Sequence, residues 1–402
     1  MKLVALALAV IGGVARADDA VTLPQALAAA GRAPAVQVAV HELAAAEATA
    51  GAASAWPNPA VHLATDRLTA RLVAGVSVPL PVFGTVGAAR RAAGAEAEVV
   101  RAEMALARRE VVHRAAVAWI ELARAHDDRE AQQVAARQAA ELETIARGRR
   151  DAGTAAEVDV MLAGAARAKA VAAAAAAERL EQAASAELAG LLGWDPRRAL
   201  RADGAASAGV GEPGLQGRLV QHPEQAAAAR RIAAAEAVID EVHAQRWPAV
   251  ALEAELDYDD PTIGGATAWA RSDARVGVAL ELPVFARLGD RARAAEATRD
   301  AQRAKLVALD AELAGRLAAA YQRWRAAADQ LAATEREVLP ASERAAELSM
   351  QAYREGARDL ATALVAEREL AAARAERNGL RATAALASVE LALASGQEPD
   401  AR

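Results

Sequence analysis

The chain has 402 residues, a formal net charge of -6 and no cysteine. The missing cysteines exclude disulfides, thiolate metal sites, thiol nucleophiles and the lipid-bearing cysteine of a bacterial lipoprotein, and the acidic balance argues against a duplex nucleic-acid binder, which concentrates a basic face. Aromatics make up only 3% while hydrophobic residues reach 54%, largely through alanine, so the composition builds no large conventional core; alanine favours helix and lets helix axes approach closely.

Met1-Lys2, the apolar run 3–14 and Ala15-Arg16-Ala17 supply the charged, apolar and small-residue parts of a signal peptide, with cleavage expected after Ala17. That run is too short to span a bilayer, and no later stretch offers about 20 apolar residues free of charge. A membrane-embedded form is therefore expected to be a β-barrel.

A first repeat is predicted over residues 18–201. Its strand hairpin covers residues 58–81, between Trp56-Pro57 and Pro81-Val82-Phe83. Leu68, Ala70, Leu72, Ala74, Val76, Val78 and Leu80 alternate there with Arg67, Thr69, Arg71, Gly75 and Ser77, a period of two that gives a strand two unlike faces. Residues 84–150 hold no proline and predict one long helix. A tip follows near 151–156, where Gly153 suits a left-handed helix cap, and a return helix runs to about 193.

Residues 202–217, rich in glycine and small side chains, read as a linker belonging to an outer belt. The second repeat is predicted over 218–396, ahead of a tail at 397–402. Its hairpin covers 249–283, between Trp247-Pro248 and Pro283-Val284-Phe285, with an external loop near 259–267. Val250, Leu252, Ala254, Leu256 and Tyr258 alternate with Glu253, Glu255 and Asp257, and the return strand sets Ala274, Val276, Val278, Leu280 and Leu282 against Arg271, Asp273, Arg275 and Glu281. The long helix of this repeat covers 286–353, with a local bend expected at Pro340. Its tip lies near 354–359, marked by Gly356, and its return helix reaches about 395. The fold class is mainly α with a transmembrane β part: a tandem repeat of strand hairpin plus long helical hairpin.

Trp56, Phe83, Trp247 and Phe285 begin and end the hairpins, which places all four at one membrane rim, as in the aromatic girdle of a transmembrane barrel. Glu253, Glu255, Asp257, Arg271 and Arg275 lie opposite the lipid-facing side and are expected in the pore lumen. Four strands cannot close a barrel, so oligomerisation follows, and three copies give twelve strands. Apolar spacing at Leu306, Leu309, Leu313 and Leu317 reads as a coiled-coil seam.

No phosphate loop, zincin helix or nucleophile elbow is present. His41, His62, His113, His126, His222 and His243 are scattered and are each expected at the surface without a partner, and Asp127-Asp128 and Asp259-Asp260 as solvated ends and loops. No catalytic constellation, metal site or cofactor is expected, and the chain does not read as an enzyme. The competing reading is a soluble periplasmic coiled-coil scaffold or adaptor.

Leader, duplicated strand hairpin, long helix, glycine-marked tip and returning helix follow one another as in the TolC-like outer-membrane efflux proteins, which the chain resembles over essentially its whole mature length. Trp56-Pro57-Asn58-Pro59-Ala60 and Pro81-Val82-Phe83-Gly84-Thr85-Val86-Gly87 resemble motifs of the cobalt, zinc and cadmium branch. The resemblance implies a homotrimer, with a 12-stranded β-barrel in outer-membrane lipid continued by a periplasmic α-helical barrel. It implies a passive duct for efflux or type I secretion, opened by docking of a periplasmic adaptor (membrane fusion) protein and energised by an inner-membrane pump. It places the adaptor-docking and gating tips at Gly153, Thr154, Glu157, Asp159, Tyr353, Gly356, Ala357, Arg358 and Asp359, with the acids and Arg358 as candidate latch charges.

Overall fold

The structure is a computed structural model, and it describes residues 19–66, 71–204, 222–259, 271–283 and 285–397. The proposed leader, residues 67–70 of the predicted first strand hairpin, most of the 202–217 linker, most of the predicted second external loop and Val284 lie outside the described residues. The chain divides into two compact units, one of residues 1–37, 107–222 and 312–402, the other of 38–106 and 223–311.

The elements in order are β1 (Asp19–Val21), α1 (Leu23–Ala30), α2 (Pro34–Ala52), β2 (Ala60–Asp66), β3 (Arg71–Leu80), α3 (Thr85–Asp151), α4 (Glu157–Leu192), β4 (Leu200–Ala202), α5 (Pro223–Ala244), β5 (Ala249–Asp259), β6 (Arg271–Glu281), α6 (Leu288–Ala333), α7 (Leu339–Arg354) and α8 (Leu360–Ala394). Between α6 and α7 lies one π-helical turn, Thr334–Val338. With 67 residues, α3 is on the order of 100 Å long at about 1.5 Å per residue.

The simple bend expected at Pro340 takes a different form. Pro340 stands at the start of α7, directly after the π-helical turn. Proline lacks an N–H and its ring presses on the carbonyl four residues back, here Arg336; widening the preceding turn accommodates both effects while the helix continues.

In the first unit the main core joins β1, α1, the start of α2, the middle of α3, the ends of α4 and α8, and β4. β1 and β4 pair in parallel, and the buried Trp119 indole N–H donates to the Val21 carbonyl at 2.7 Å. These short strands carry too little periodicity to be read from sequence. Alanine dominates the core, so helices approach closely and each contact contributes little individually. Arg109, almost fully buried, donates through Nη2 to the carbonyls of Leu393 at 2.9 Å and Gln397 at 2.7 Å. Its charge sits where the α8 dipole is negative and terminal carbonyls need donors. A second, smaller core of Leu142, Ala146, Ala163, Met350, Tyr353, Leu360 and Ala363 lies under the helical tips. Leu313 and Leu317 of the predicted seam are buried.

In the second unit, α2, α3 and α5 carry ion pairs along their exposed faces, such as Arg101 with Glu47 at 2.7 Å and Arg231 with Glu103 at 2.7 Å. It also holds the four-stranded antiparallel sheet, in the order β2-β3-β5-β6.

Candidate functional site

Register alone sorts the sheet into two faces. Leu63, Ala74, Leu256 and Ala274 stand opposite one another across the four strands, and Val61, Val76, Ala254 and Val276 form the next such row. Val61, Leu63, Leu252, Leu256, Tyr258, Val276, Val278 and Leu280 are exposed, a continuous apolar face that water would penalise at about 25 cal/mol per Å².

The opposite face carries His62, Gly75, Glu255 and Arg275 in one transverse row, and Ala64, Val73, Asp257 and Asp273 in the next. The His62 ring lies over Gly75, where a Cβ would meet it at 2.2 Å and force the ring to move. Glu255 sits between His62 at 3.8 Å and Arg275 at 3.7 Å. Asp257 is only 5% exposed and pairs with Arg275 at 3.4 Å, while Glu253 remains exposed. Arg271 stands opposite Asp259 in the register; both side chains lie outside the description. The structure thus gathers Glu253, Glu255, Asp257 and Arg275 on one face and adds His62, which sequence reading set aside.

Of the four aromatics expected at a membrane rim, Phe83 and Trp247 stack with ring centroids 5.2 Å apart, joining the exit of the first hairpin to the entry of the second. Trp56 is exposed, and Phe285 is 96% exposed.

The helical tips are built from the same backbone device. Gly153 and Gly356 have φ of 72° and 78°, the left-handed region that a side chain strains. Beyond them the tips differ. Asp359 caps α8, accepting from the Thr362 N–H at 3.1 Å and from the Thr362 hydroxyl; the side-chain hydrogen bond, then the backbone one, hold its carboxyl below the usual range. At the matching place the residue before α4 is Ala156, whose N–H donates to Asp159 at 3.4 Å. Glu157 pairs with Arg150 at 3.2 Å, and Arg358 is exposed.

Tyr353 is 1% exposed. The Arg149 guanidinium lies 4.8 Å from its ring centre and donates to its backbone carbonyl at 2.6 Å. The same group donates to the Thr154 carbonyl at 3.3 Å, and the Thr154 hydroxyl donates back to the Arg149 carbonyl at 3.0 Å. Arg149 therefore ties the end of α3 to the end of α7 and to the first turn. The Tyr353 hydroxyl is buried with no hydrogen-bond partner among the described residues, and burial pushes its pKa up. Sequence reading missed Arg149; it continues the stripe Leu142, Ala146, Arg149, whose spacing of four then three places it on the inward face.

His41 is exposed as expected, but other histidines depart from the surface reading. His126 lies 2.7 Å from Glu181, His62 faces Glu255, His222 is buried, and His113 is half-buried, with its pKa lowered by that burial. Asp127-Asp128 is no solvated end either: burial raises the Asp127 pKa, and Asp128 accepts from the buried Asn378 at 3.0 Å. The His126–Glu181 and Asp128–Asn378 contacts bridge helices distant in sequence. Among the described residues no group of three or more histidines and acids could hold a metal ion.

The family model for outer membrane efflux proteins matches residues 25–194 and 215–397. Among solved structures, the outer membrane protein VceC from Vibrio cholerae is 22% identical with a TM-score of 0.73, covering 94% of this chain and 97% of its own. The CmeC outer membrane channel of Campylobacter jejuni is 15% identical with a TM-score of 0.77, covering 93% and 85%. The MtrE outer membrane channel of Neisseria gonorrhoeae, in its open state, is 18% identical with a TM-score of 0.73, covering 94% and 89%. No curated protein matches the chain in sequence. The tandem of amphipathic strand hairpin and long helical hairpin is thus the architecture of a known channel class, and the chain belongs to the outer membrane efflux protein family: it is an efflux channel of the outer membrane with a periplasmic extension.

Proposed function

We propose that three copies of this chain close one duct, a twelve-stranded barrel in lipid continued by helices. The observation that carries this reading is the sheet: one face is apolar and exposed, and β2 and β6 stand at its two ends with no further strand among the described residues. Lipid offers nothing to hydrogen-bond an open strand edge, so only closed barrels span a membrane as strands, and the β6 of one copy must meet the β2 of the next. The polar face then lines water, with Glu253, Glu255, Asp257, Arg271 and Arg275 in the lumen and Trp56, Phe83, Trp247 and Phe285 at the rim. α4 supports the same closure. It exposes Val158, Met161, Leu162, Val171 and Leu180, apolar area that a neighbouring copy would cover.

The tips, Gly153, Thr154, Glu157, Asp159, Tyr353, Gly356, Arg358 and Asp359, form the end that a periplasmic adaptor contacts. Asp159 and Asp359 serve there as helix caps, and Arg149 joins the two hairpins beside the Arg354–Glu141 pair. A docking partner that satisfies the buried Tyr353 hydroxyl or recruits Arg149 would release that tie and let the tips separate. The duct performs no chemistry, and energy comes from an inner-membrane pump. The strand-flanking motifs make zinc and cobalt the first cargoes to test.

Detergent-purified protein should run as a trimer on an unheated gel and give discrete, long-lived openings in a planar bilayer. A monomer without conductance would overturn the reading. Arg149→Ala should raise open probability; unchanged gating would remove Arg149 from the closure.

A further inference from the structure

The first unit holds a polar cleft of about 540 Å³ that the channel features leave unused. Arg129 enters it from α3, Glu178 and Glu181 from α4, and Arg197, Arg198 and Arg201 from the segment leading into β4. Four arginines and two glutamates thus line it, in a chain whose net charge is -6.

Two of the four are fixed in place. Arg198 pairs with Asp19 at 2.7 Å and lies 4.6 Å from the Trp194 ring centre. Arg129 lies 2.6 Å from Glu181, yet its buried Nε–H is not aimed to make a hydrogen bond. The other two, Arg197 and Arg201, are exposed and form no ion pair among the described residues. Their segment is stapled to α4 by Ser185, which donates to the Arg198 carbonyl at 3.3 Å and accepts from the Leu200 N–H at 2.7 Å. The two free forks are therefore presented on rigid backbone, which lowers the ordering cost of binding.

A guanidinium fork takes a carboxylate or phosphate through two parallel hydrogen bonds. The volume falls within the range of ligand sites, roughly 300–1,000 Å³, and exceeds what one small oxyanion fills. Gln133 also lines the cleft with no hydrogen bond among the described residues, and a carboxamide offers the donor and acceptor that a peptide bond needs.

We propose that this cleft binds an acidic peptide segment, with its carboxylates taken by Arg197 and Arg201. The test is calorimetric titration of the full-length protein in detergent, at low salt, with a tetraglutamate peptide, its tetraglutamine counterpart and inorganic phosphate. The expected result is binding of tetraglutamate alone, weakened by salt and reduced about tenfold or more in the Arg197→Ala/Arg201→Ala variant. The paired lysine variant, which keeps charge without the fork, should fall between. No tetraglutamate binding, equal binding by the alanine variant, or phosphate binding as tightly as the peptide would overturn the assignment. So would dissociation of the variant's oligomer on size exclusion, because the arginines would then serve a contact between copies.

Discussion

At the first helical tip Arg150 stands on the surface, paired with Asp151 and Glu157, whereas at the matching place of the second tip Tyr353 is buried under the Arg149 guanidinium. The α4 cap position holds Ala156 with no side-chain acceptor, while α8 has the carboxylate of Asp359. Both turns reverse direction through a left-handed glycine. The repeat thus preserved the backbone device and changed what surrounds it: both tips pack on one small core, to which the first adds a surface cluster of charges at Arg150 while the second contributes an aromatic ring with a cation above it. Surface ion pairs contribute little, whereas a buried ring contributes area, packing and a cation–π contact. Tyr353, from the second tip, is the largest buried side chain of that shared core.

The sharpest way to break this asymmetry is Tyr353→Ala. Loss of a buried aromatic costs about 3–5 kcal/mol, and the tip core of Leu142, Met350, Leu360 and their neighbours should loosen with it. Amide exchange across residues 346–364 should accelerate by orders of magnitude, and channel leak should rise. Arg150→Ala at the first tip should leave both unchanged. Equal responses at the two tips would mean that Tyr353 does not organise its hairpin.

Much of this architecture was legible because periodicity and punctuation are local signals. The alternation of Leu252, Ala254 and Leu256 with Glu253, Glu255 and Asp257 sorts the faces of β5 before any partner strand is known, and the prolines absent from 84–150 allow one helix there. Gly153 and Gly356 mark reversals because their backbone needs no tertiary support. The features that stayed hidden are relations between distant segments. Two hairpins do not announce that β3 pairs with β5, and an isolated His126 gives no sign of Glu181. Arg149 and Arg150 are equally plausible cations for a helix end; only the buried stripe from Leu142 through Ala146 separates them. In alanine-rich stretches such as α2 and α5 nearly every face is weakly apolar, so the pattern that assigns partners fades.

A smaller effect sharpens the comparison at the turns themselves. Gly153→Ala and Gly356→Ala each place a Cβ in the left-handed region, at about 1–2 kcal/mol. The first meets nothing within 4 Å, while the second would sit 3.4 Å from the Arg149 Nη2. Strain alone predicts equal losses; disturbance of Arg149 predicts a larger loss at Gly356. Tip-resolved amide exchange of the two variants measures the difference, and parity would show that Arg149 yields at no cost.

The smallest expected effect is a response to acid. The folded pKa of Asp359 is depressed, first by the side-chain hydrogen bond from Thr362 and then by the backbone one. A depressed carboxylate binds fewer protons in the folded state, so its contribution is complete above the unfolded value of 3.8 and is lost as pH falls through the folded one. The first turn of α8 should therefore fray below about pH 4, visible as faster amide exchange at residues 360–363 after correction for intrinsic rates. Asp359→Asn keeps a side-chain oxygen for the cap but has nothing to titrate there, so it should abolish that acid step. The start of α4 should be indifferent to the substitution. An acid step that survives in the asparagine variant would move its origin to another carboxylate and leave the Asp359 cap without a pH-dependent role.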